Sequence, residues 1–312
     1  MDVKHILICN MQKDNINTLN TIDFGAIVEE DFFEYPTCDN HFKYFDLKNQ
    51  EDIEIRKFFM CDLFDCSWKD DGATMEAPIF TLATKPDLRT WTWSSKDRTR
   101  NVKVIPSSLG RATQMDKDVL IFIVSQIIEG LNIGREDAKS TYVRFTINNY
   151  LKSTKKKMCC FQHKRVITAL DRMTGTKIQI KNKNDSHDFS IFDTWEVAKR
   201  DADGKIISVD VKLSEWIYKS IQDKHVLTIN PDYFRLRKPL ERRLYELARK
   251  HCGQQAMWKI GIDQLKGKCV SFDDIKKFKY ALKIIIKDGL IPDYELKIDD
   301  CFLVVSNKKV TP

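Results

Sequence analysis

The chain has 312 residues, of which 42% are hydrophobic and 31% charged, so it can build the core of one large domain or two modest ones. No run approaches the roughly 20 apolar residues that a membrane helix requires, and the apolar stretch at the N-terminus is too short for a secretory signal. These features argue against a membrane or secreted protein, and we expect a soluble protein of the cytoplasm.

The formal charge of +7 is unevenly distributed along the chain. Up to Thr74 there are 16 acidic and 7 basic residues, a net charge of −9, whereas the 29 acidic and 45 basic residues from Met75 onward give +16. A positive excess of this size predicts that the second part binds a polyanion. Residues 1–57 are polar and acidic without sustained periodicity, and we expect an extension that is partly ordered at best.

Residues 58–110 contain several prolines and Gly110, which favour short strands and turns, and the sequence becomes periodic after them. Asp116 is expected to cap a helix that ends near Gly134. The next predicted elements are, in order, a strand at 141–146, a short helix at 147–153, a second helix from about Cys160 to Met173, and the strands KIQIK, DFSIFDTWEVAKR and KIISVDVKL with a hairpin turn at Asp203–Gly204.

A similar order recurs toward the C-terminus. The elements there are a helix EWIYKSI, a helix Pro239–Cys252, a strand MWKIGI, a short helix IDQLKGK, a longer helix Phe272–Asp288 and a closing ribbon of DYELKI and CFLVVS. A helix, a strand, two further helices and a β-ribbon follow each other in a winged helix-turn-helix. The sequence therefore predicts an α+β fold with two tandem winged-helix domains, residues 58–213 and 214–312, after the acidic extension 1–57.

In a helix-turn-helix the second helix enters the major groove and presents its exposed side chains to the DNA. In the predicted helix from about Cys160 to Met173, steps of 100° per residue separate an apolar face from a cationic one. The apolar face comprises Val166, Ile167, Leu170 and Met173, and the cationic face comprises Lys164, Arg165, Thr168 and Arg172. Because lysine contacts phosphate at least as often as a base edge, we expect base readout from Arg165, Thr168 and Arg172.

The predicted helix Phe272–Asp288, at the same place in the second domain, carries a narrow row of lysines beside its apolar face. The row comprises Lys276, Lys279, Lys283 and Lys287, and the apolar face comprises Ile275, Phe278, Leu282, Ile285 and Ile286. Aligned sets of cations at equivalent positions in both predicted domains favour contacts with DNA over a merely solvated surface.

Three further groups of cations are candidates for DNA contacts. They are the turn Lys155, Lys156 and Lys157; the first ribbon with Lys199, Arg200 and Lys205; and Arg235, Arg237 and Lys238 before the helix at Pro239. The surface of that helix around a leucine stripe is also expected to carry Arg242, Arg243, Arg249, Lys250 and His251. The alternative for each of these residues is a solvated cation that serves only solubility.

No catalytic group of residues emerges from the sequence. It contains no H-x-H pair like that of rolling-circle nickases, no G-x-x-x-x-G-K-[ST] phosphate loop and no G-x-S-x-G elbow, so we expect neither an enzyme nor a bound cofactor. The nine cysteines include no C-x-x-C pair and are expected to be reduced thiols. A zinc site of Cys61 and Cys66 with Cys38 or His41 is the alternative.

Four passages, in the same order along the chain, carry a resemblance to a known family. They are MCDLFDCSWKDDGATMEAPIFTLATK, VIPSSLGRATQMDKDVLIFIVSQIIEGLN, FDTWEVAKRDADGKIISVDVKLSEWIYKSI and DYFRLRKPLERRLYELARKHCGQQ. Over about residues 58–306 the chain resembles the plasmid replication initiator protein A family, bacterial proteins that bind repeated sequences at a plasmid origin and start its replication.

The resemblance implies tandem winged helices that bind repeated sites in double-stranded plasmid DNA, help to open an adjacent A·T-rich segment and recruit host initiator and helicase proteins. It also implies a homodimer in equilibrium with an active monomer, and we expect the dimer surface around Met115–Leu131 and the strands before it. The alternative function is a transcriptional repressor that uses the same winged helices.

Overall fold

The computed structural model describes residues 58–63, 66–94, 100–182, 186–223 and 225–310, and all of them belong to one compact unit that begins at Gln50. The acidic extension 1–57 lies outside the described residues, and so do Cys38 and His41 of the zinc alternative. For brevity, residues 58–213 are called the first half and residues 214–310 the second half.

The helices of the described part lie close to the predicted positions, because their apolar residues recur at helical spacing. The sequence did not indicate α1, which is a single short helix. The helices are α1 Gly72–Glu76, α2 Lys117–Asn132, α3 Ile147–Ser153, α4 Cys160–Gly175, α5 Glu215–Gln222, α6 Pro239–His251, α7 Ile262–Cys269 and α8 Ile275–Asp288, with short 3-10 helices at Glu136–Lys139 and Pro231–Arg235.

The strands are short, and most end at a turn or at the cap of a helix. They are β1 Phe59–Met60, β2 Lys69–Asp71, β3 Trp91–Ser94, β4 Arg100–Ile105, β5 Tyr142–Thr146, β6 Lys177–Asn182, β7 Ser186–Ser190, β8 Phe192–Arg200, β9 Ile206–Leu213, β10 Val226–Thr228, β11 Met257–Gly261, β12 Tyr294–Asp299 and β13 Phe302–Asn307. They form sheets in the orders β1-β5-β9-β8, β3-β4-β6-β7, β11-β13-β12 and β10-β2.

The two halves share one order of elements and one strand order, within a mixed α+β fold. In the first half β5, α3, α4, β8 and β9 give the sheet order β5-β9-β8, and in the second half β11, α7, α8, β12 and β13 give β11-β13-β12. A longer helix precedes each set, α2 in the first half and α6 in the second. The first half differs by an insertion, since β6 and β7 follow α4 and pair with β4 and with each other in a separate sheet.

This insertion corrects one prediction about the strands. The segment DFSIFDTWEVAKR is not one strand, because the chain changes sheets at the buried Ile191. Before this residue β7 pairs with β6, and after it β8 pairs with β9 in an antiparallel hairpin. The predicted turn at Asp203–Gly204 is confirmed, with Gly204 in the left-handed region at a φ of 80°.

Side-chain caps fix where several helices begin. The hydroxyl of Thr146 accepts from the backbone N–H of Asn149 at the start of α3, and the carboxylate of Asp274 accepts from that of Lys277 at 2.8 Å at the start of α8. Asp116 was expected to cap α2 in the same way, but its side chain makes no hydrogen bond to the first turn of that helix. Its carboxylate is held elsewhere, by the backbone N–H of Thr113 at 2.8 Å among other groups.

Helix α2 lies at the centre of the first half. Every residue from Lys117 to Ile128 is buried, so the helix is enclosed on all sides, and Ile121 reaches the core of the second half. The predicted dimer surface around Met115–Leu131 is therefore wrong for Lys117–Ile128, which is packed inside the chain, and stays a prediction for the strands before it.

Buried ions join the two halves at the start of α2. Lys117 Nζ lies 2.7 Å from Asp70 Oδ2 of β2 and 3.1 Å from Glu246 Oε1 of α6, and all three side chains are buried. Arg243 of α6 adds a second cation, with Nη1 3.2 Å from Glu246 Oε2 and 2.8 Å from the carbonyl of Met75. Lys117 of the first half therefore pairs with one carboxylate from each half, and Arg243 of the second half donates to a backbone carbonyl of the first half.

Asp118, the residue after Lys117, forms a second set of ion pairs, with Arg242 of α6 and with Lys156 of the turn after α3. Burial alone would raise the pKa of Asp118, and the charges of Arg242 and Lys156 outweigh it and hold this pKa below its ordinary value. The residues Asp70, Lys117, Asp118, Lys156, Arg242, Arg243 and Glu246 are called the inter-half network below.

The network corrects the prediction that Arg242 and Arg243 lie on the surface of the helix at Pro239. Both side chains are almost fully buried, because their charges are neutralised by Asp118 and Glu246. Two of the residues that made this helix look like a DNA-binding surface therefore serve packing between the halves.

Asp70 should make stability depend on pH. Burial raises the pKa of its carboxyl from 3.8 to about 7 despite the nearby Lys117. The folded chain thus keeps a proton that the unfolded chain loses near pH 4, so this contribution to stability is complete at low pH and is lost as pH rises toward about 7. In urea unfolding at several pH values, the stability of the wild type relative to Asp70→Asn should fall by up to a few kcal/mol between about pH 4 and 7. A difference that is constant with pH would contradict this assignment.

Candidate nucleic-acid interface

Helix α4 is the candidate DNA-reading helix of the first half. Its buried residues Val166, Leu170 and Met173 pack into the first core, as the helical spacing predicts, while Lys164 and Arg165 are exposed on the other side. His163 lies on the buried side, and its Nε2 is 3.0 Å from Asn148 Oδ1 of α3, which ties the two helices together. Burial lowers the pKa of His163, so this imidazole is neutral at neutral pH.

The two other residues predicted for base readout are engaged within the chain. The Thr168 hydroxyl donates to the carbonyl of Lys164 at 3.0 Å. Arg172 donates from Nε and Nη2 to the two carboxylate oxygens of Asp116, at 2.8 and 2.7 Å. The prediction that Arg172 is exposed is wrong, since its side chain is only 14% exposed and joins α4 to the start of α2. Arg165 is the arginine of this helix that remains exposed.

The turn between α3 and α4 separates the three lysines that were predicted together. Lys155 and Lys157 are exposed. Lys156 points inward, where its ammonium group donates to Asp118 and, at 2.8 Å, to the Tyr150 hydroxyl. Burial would lower the pKa of Lys156, but the Asp118 carboxylate outweighs it, so the ammonium stays charged. Its prediction as a phosphate contact is therefore replaced by a place in the inter-half network.

The β8–β9 ribbon projects cations into solvent. Lys199, Arg200 and Lys205 are exposed, and Arg200 Nη1 donates to the carbonyl of Gly204 at 2.7 Å, which steadies the tip of the ribbon. This is the arrangement in which a wing can approach a phosphate backbone.

Helix α8 carries the lysine row of the second half. Phe278, Leu282 and Ile285 are buried, and the helix ends at Gly289, whose φ of 62° suits a glycine. Lys276, Lys283 and Lys287 are exposed and Lys279 is half-buried. None of these four lysines forms a salt bridge with another residue of the described ranges, so their charges are available to a ligand.

The cations that precede α6 are exposed to different degrees. Arg235 lies 3.2 Å from Asp232, and Lys238 Nζ lies 2.7 Å from Asp288 at the end of α8, while Arg237 is exposed. Exposed pairs of this kind contribute little to stability and exchange partners readily, so Arg235 and Lys238 can also meet phosphate groups.

Arg172 and Arg165 should differ in their effect on stability. Arg172→Ala leaves the Asp116 carboxylate without its charged partner and should lower the free energy of unfolding by about 1–3 kcal/mol. Arg165→Ala truncates an exposed side chain and should change it by less than about 0.5 kcal/mol. Urea unfolding of both variants measures the difference, and equal losses would show that the Arg172–Asp116 pair contributes nothing.

Neither a cluster of metal ligands nor a disulfide is present in the described part of the chain. No group of three or more histidine, cysteine, aspartate or glutamate side chains in these ranges could hold a metal ion, and the cysteines there form no disulfide bond. No helix in the same ranges combines the length and the apolar surface needed to cross a bilayer.

Exposed cations on helices and on a ribbon, on a fold whose two halves share one order of elements, are typical of proteins that bind nucleic acid. The family model for Replication initiator protein A matches residues 69–296, and the chain belongs to this family. A relative described as "Putative replication protein", from Wigglesworthia glossinidia brevipalpis, is 32% identical over 254 residues, which are 78% of this chain and 90% of that protein.

Solved structures share the fold at low sequence identity. A crystal structure of domains 2 and 3 of RctB has a TM-score of 0.57 and 13% identity, and covers 76% of this chain and 98% of that chain. A second structure of the same two domains has a TM-score of 0.54 and 12% identity, and covers 77% and 98%. These likenesses show that the overall fold is shared with those structures.

Proposed function

We propose that this chain is a plasmid replication initiator that binds repeated sites in the double-stranded DNA of a replication origin. The observation that carries the proposal is that both halves of this replication initiator family member share one order of helices and strands. Each half contains a strand, two helices and a two-stranded ribbon in the same order, which supports a pair of winged helices, and each places exposed cations on its second helix.

Each half would contribute a different kind of contact. In the first half Lys164 and Arg165 of α4 face the major groove, while Lys199 and Arg200 of the β8–β9 ribbon meet the phosphate backbone. In the second half the lysine row of α8 neutralises phosphates. Support comes from the exposure of these side chains and from the excess of cations after Met75.

The protein would act by binding alone. Contacts to bent or unwound DNA offset the cost of deforming it, so opening of an A·T-rich segment needs no nucleotide hydrolysis by this chain. The DNA-bound form would then recruit host initiator and helicase proteins in the cytoplasm. A homodimer would be an inactive form, in equilibrium with the monomer that binds the origin.

An origin-dependent maintenance assay tests this proposal. A plasmid that carries the candidate origin beside this gene, and no other replicon, should persist in cells that supply the wild-type protein and be lost in cells that do not. A footprint on the same DNA should show protected, regularly spaced repeats. Repression of a reporter without plasmid maintenance would identify a transcriptional repressor instead, and a covalent protein–DNA adduct would identify a nickase.

A further inference from the structure

The start of α4 carries an apolar surface in a cationic setting. Met158 and Phe161 are 67% and 57% exposed, and neither belongs to the two cores of the described chain. Lys157, Lys164 and Arg165 lie exposed around them. A large apolar side chain left in water at such a place costs hydration free energy that a ligand with its own apolar group can recover.

We propose that Phe161 reads the 5-methyl group of a thymine in the major groove, near a guanine that Arg165 binds. The inference rests on the proposed function, since it assigns base specificity to the same DNA-binding helix. Thymine presents a methyl group in the major groove that no other base carries, and apolar side chains recognise it by contact.

The helical positions support this assignment. Steps of 100° per residue place Phe161 between Thr168 and Arg172, at the middle of the face opposite the buried residues of α4. Phe161 also lies in the first turn, and the N-terminal residues of a recognition helix are the ones that contact base edges. The prediction of a purely cationic face missed this residue because it considered charge alone.

Phe161 and Arg165 form a pair. The guanidinium carbon of Arg165 lies 5.7 Å from the centre of the Phe161 ring, within reach of a cation–π contact. Residues four apart are separated by about 6 Å along a helix, close to two base steps of about 3.4 Å each, so the two side chains address base pairs about two steps apart. With Arg172 held by Asp116, Arg165 is the exposed arginine that can bond guanine O6 and N7.

The second half lacks an equivalent pair. The first turn of α8 carries Lys276, which suits a phosphate, and Lys277, which lies outside the lysine row. The exposed aromatic residue just before it, Phe272, is already covered by the guanidinium of Arg89, whose carbon lies 3.7 Å from the ring centre. Specificity for thymine is therefore assigned to α4, and Phe272 provides a matched control.

Uracil tests the inference directly, because it keeps the hydrogen-bonding groups of thymine and lacks only the methyl group. The probes are duplexes of the footprinted origin repeat in which each thymine is replaced singly by uracil. Wild-type protein should lose roughly fourfold in affinity at one thymine, the value of one buried methyl group. Phe161→Ala should bind the thymine duplex with that same loss and be indifferent to uracil, while Phe161→Leu should keep part of the discrimination.

The controls separate this inference from the proposed function. Phe272→Ala should discriminate thymine from uracil as the wild type does, and the thymine found should lie within two base pairs of a guanine at which Arg165→Ala relaxes discrimination. Specific origin binding that no uracil substitution weakens, or discrimination that survives in Phe161→Ala, would overturn the inference and leave the initiator role intact. Absence of specific binding to any origin repeat would instead overturn the proposed function.

Discussion

Replacing Lys276, Lys279, Lys283 and Lys287 together by glutamine should abolish most of the DNA affinity of the second half. Each lysine that contacts a phosphate releases a counterion, so four lost contacts should reduce the magnitude of the slope of log affinity against log salt by roughly 3.6, and affinity at about 0.15 M salt roughly a thousandfold. The loss should be similar for origin and scrambled duplexes, since phosphate contacts carry no sequence information.

Single changes on the same helix sharpen this test. Lys277 is exposed but lies about 100° away from Lys276 around the helix axis, outside the lysine row. Lys283→Gln should reduce the salt slope by roughly 0.9, whereas Lys277→Gln should leave it unchanged. Because these side chains are exposed or half-buried, circular dichroism and the urea midpoint should remain those of the wild type. An unchanged slope in the fourfold variant would show that α8 does not face DNA.

At about pH 8, above the pKa of about 7 at which buried Asp70 ionises, Lys117→Met should destabilise the folded chain by about 3–5 kcal/mol, enough to leave a substantial fraction unfolded in a marginally stable protein. The change leaves the Asp70 and Glu246 carboxylates buried with one cation fewer, and burial of an uncompensated charge is among the largest single-residue penalties. Urea unfolding measures the loss. Lys139→Met, which removes an exposed lysine paired with Glu136, should cost less than about 0.5 kcal/mol.

A second variant distinguishes an ionic effect from a packing defect. If the penalty comes from the Asp70 charge, Lys117→Met in an Asp70→Asn background should cost at least about 1 kcal/mol less than in the wild type, because residues in direct contact have interaction energies of about this size. Strictly additive losses would mean that methionine simply fits the site poorly.

Local structure could be predicted because it depends on local spacing. The helix Ile147–Ser153 and the turn at Asp203–Gly204 follow from short-range patterns of apolar, capping and turn residues. Strand pairing was harder, because KIQIK pairs with β4, whose residues lie far earlier in the chain. No local sequence pattern indicates which strand pairs with β6.

The cations of the candidate site show the same limit. Charge and helical position correctly identified Lys164, Arg165 and three of the four lysines in the row of α8 as exposed residues, and the fourth, Lys279, is half-buried. They misplaced Arg242 because its partner, Asp118, lies 124 residues earlier, and no spacing rule connects the two. One signal in the sequence could have cast doubt on the exposure of Arg242. Asp118 directly follows Lys117 at the start of a largely apolar helix, and a carboxylate in such a helix needs a cationic partner from elsewhere in the chain.

The position of strand β2 limits how related proteins can exchange segments by recombination of their genes. This strand pairs with β10 in the second half, and the chain that follows it offers the carbonyl of Met75 to Arg243. The second half therefore depends on a segment encoded well before it, and a recombination joint near residue 214 would separate the two. Hybrids between relatives should remain folded only when residues 66–76 are inherited together with residues 214–310, so that the unit of exchange is discontinuous in the gene.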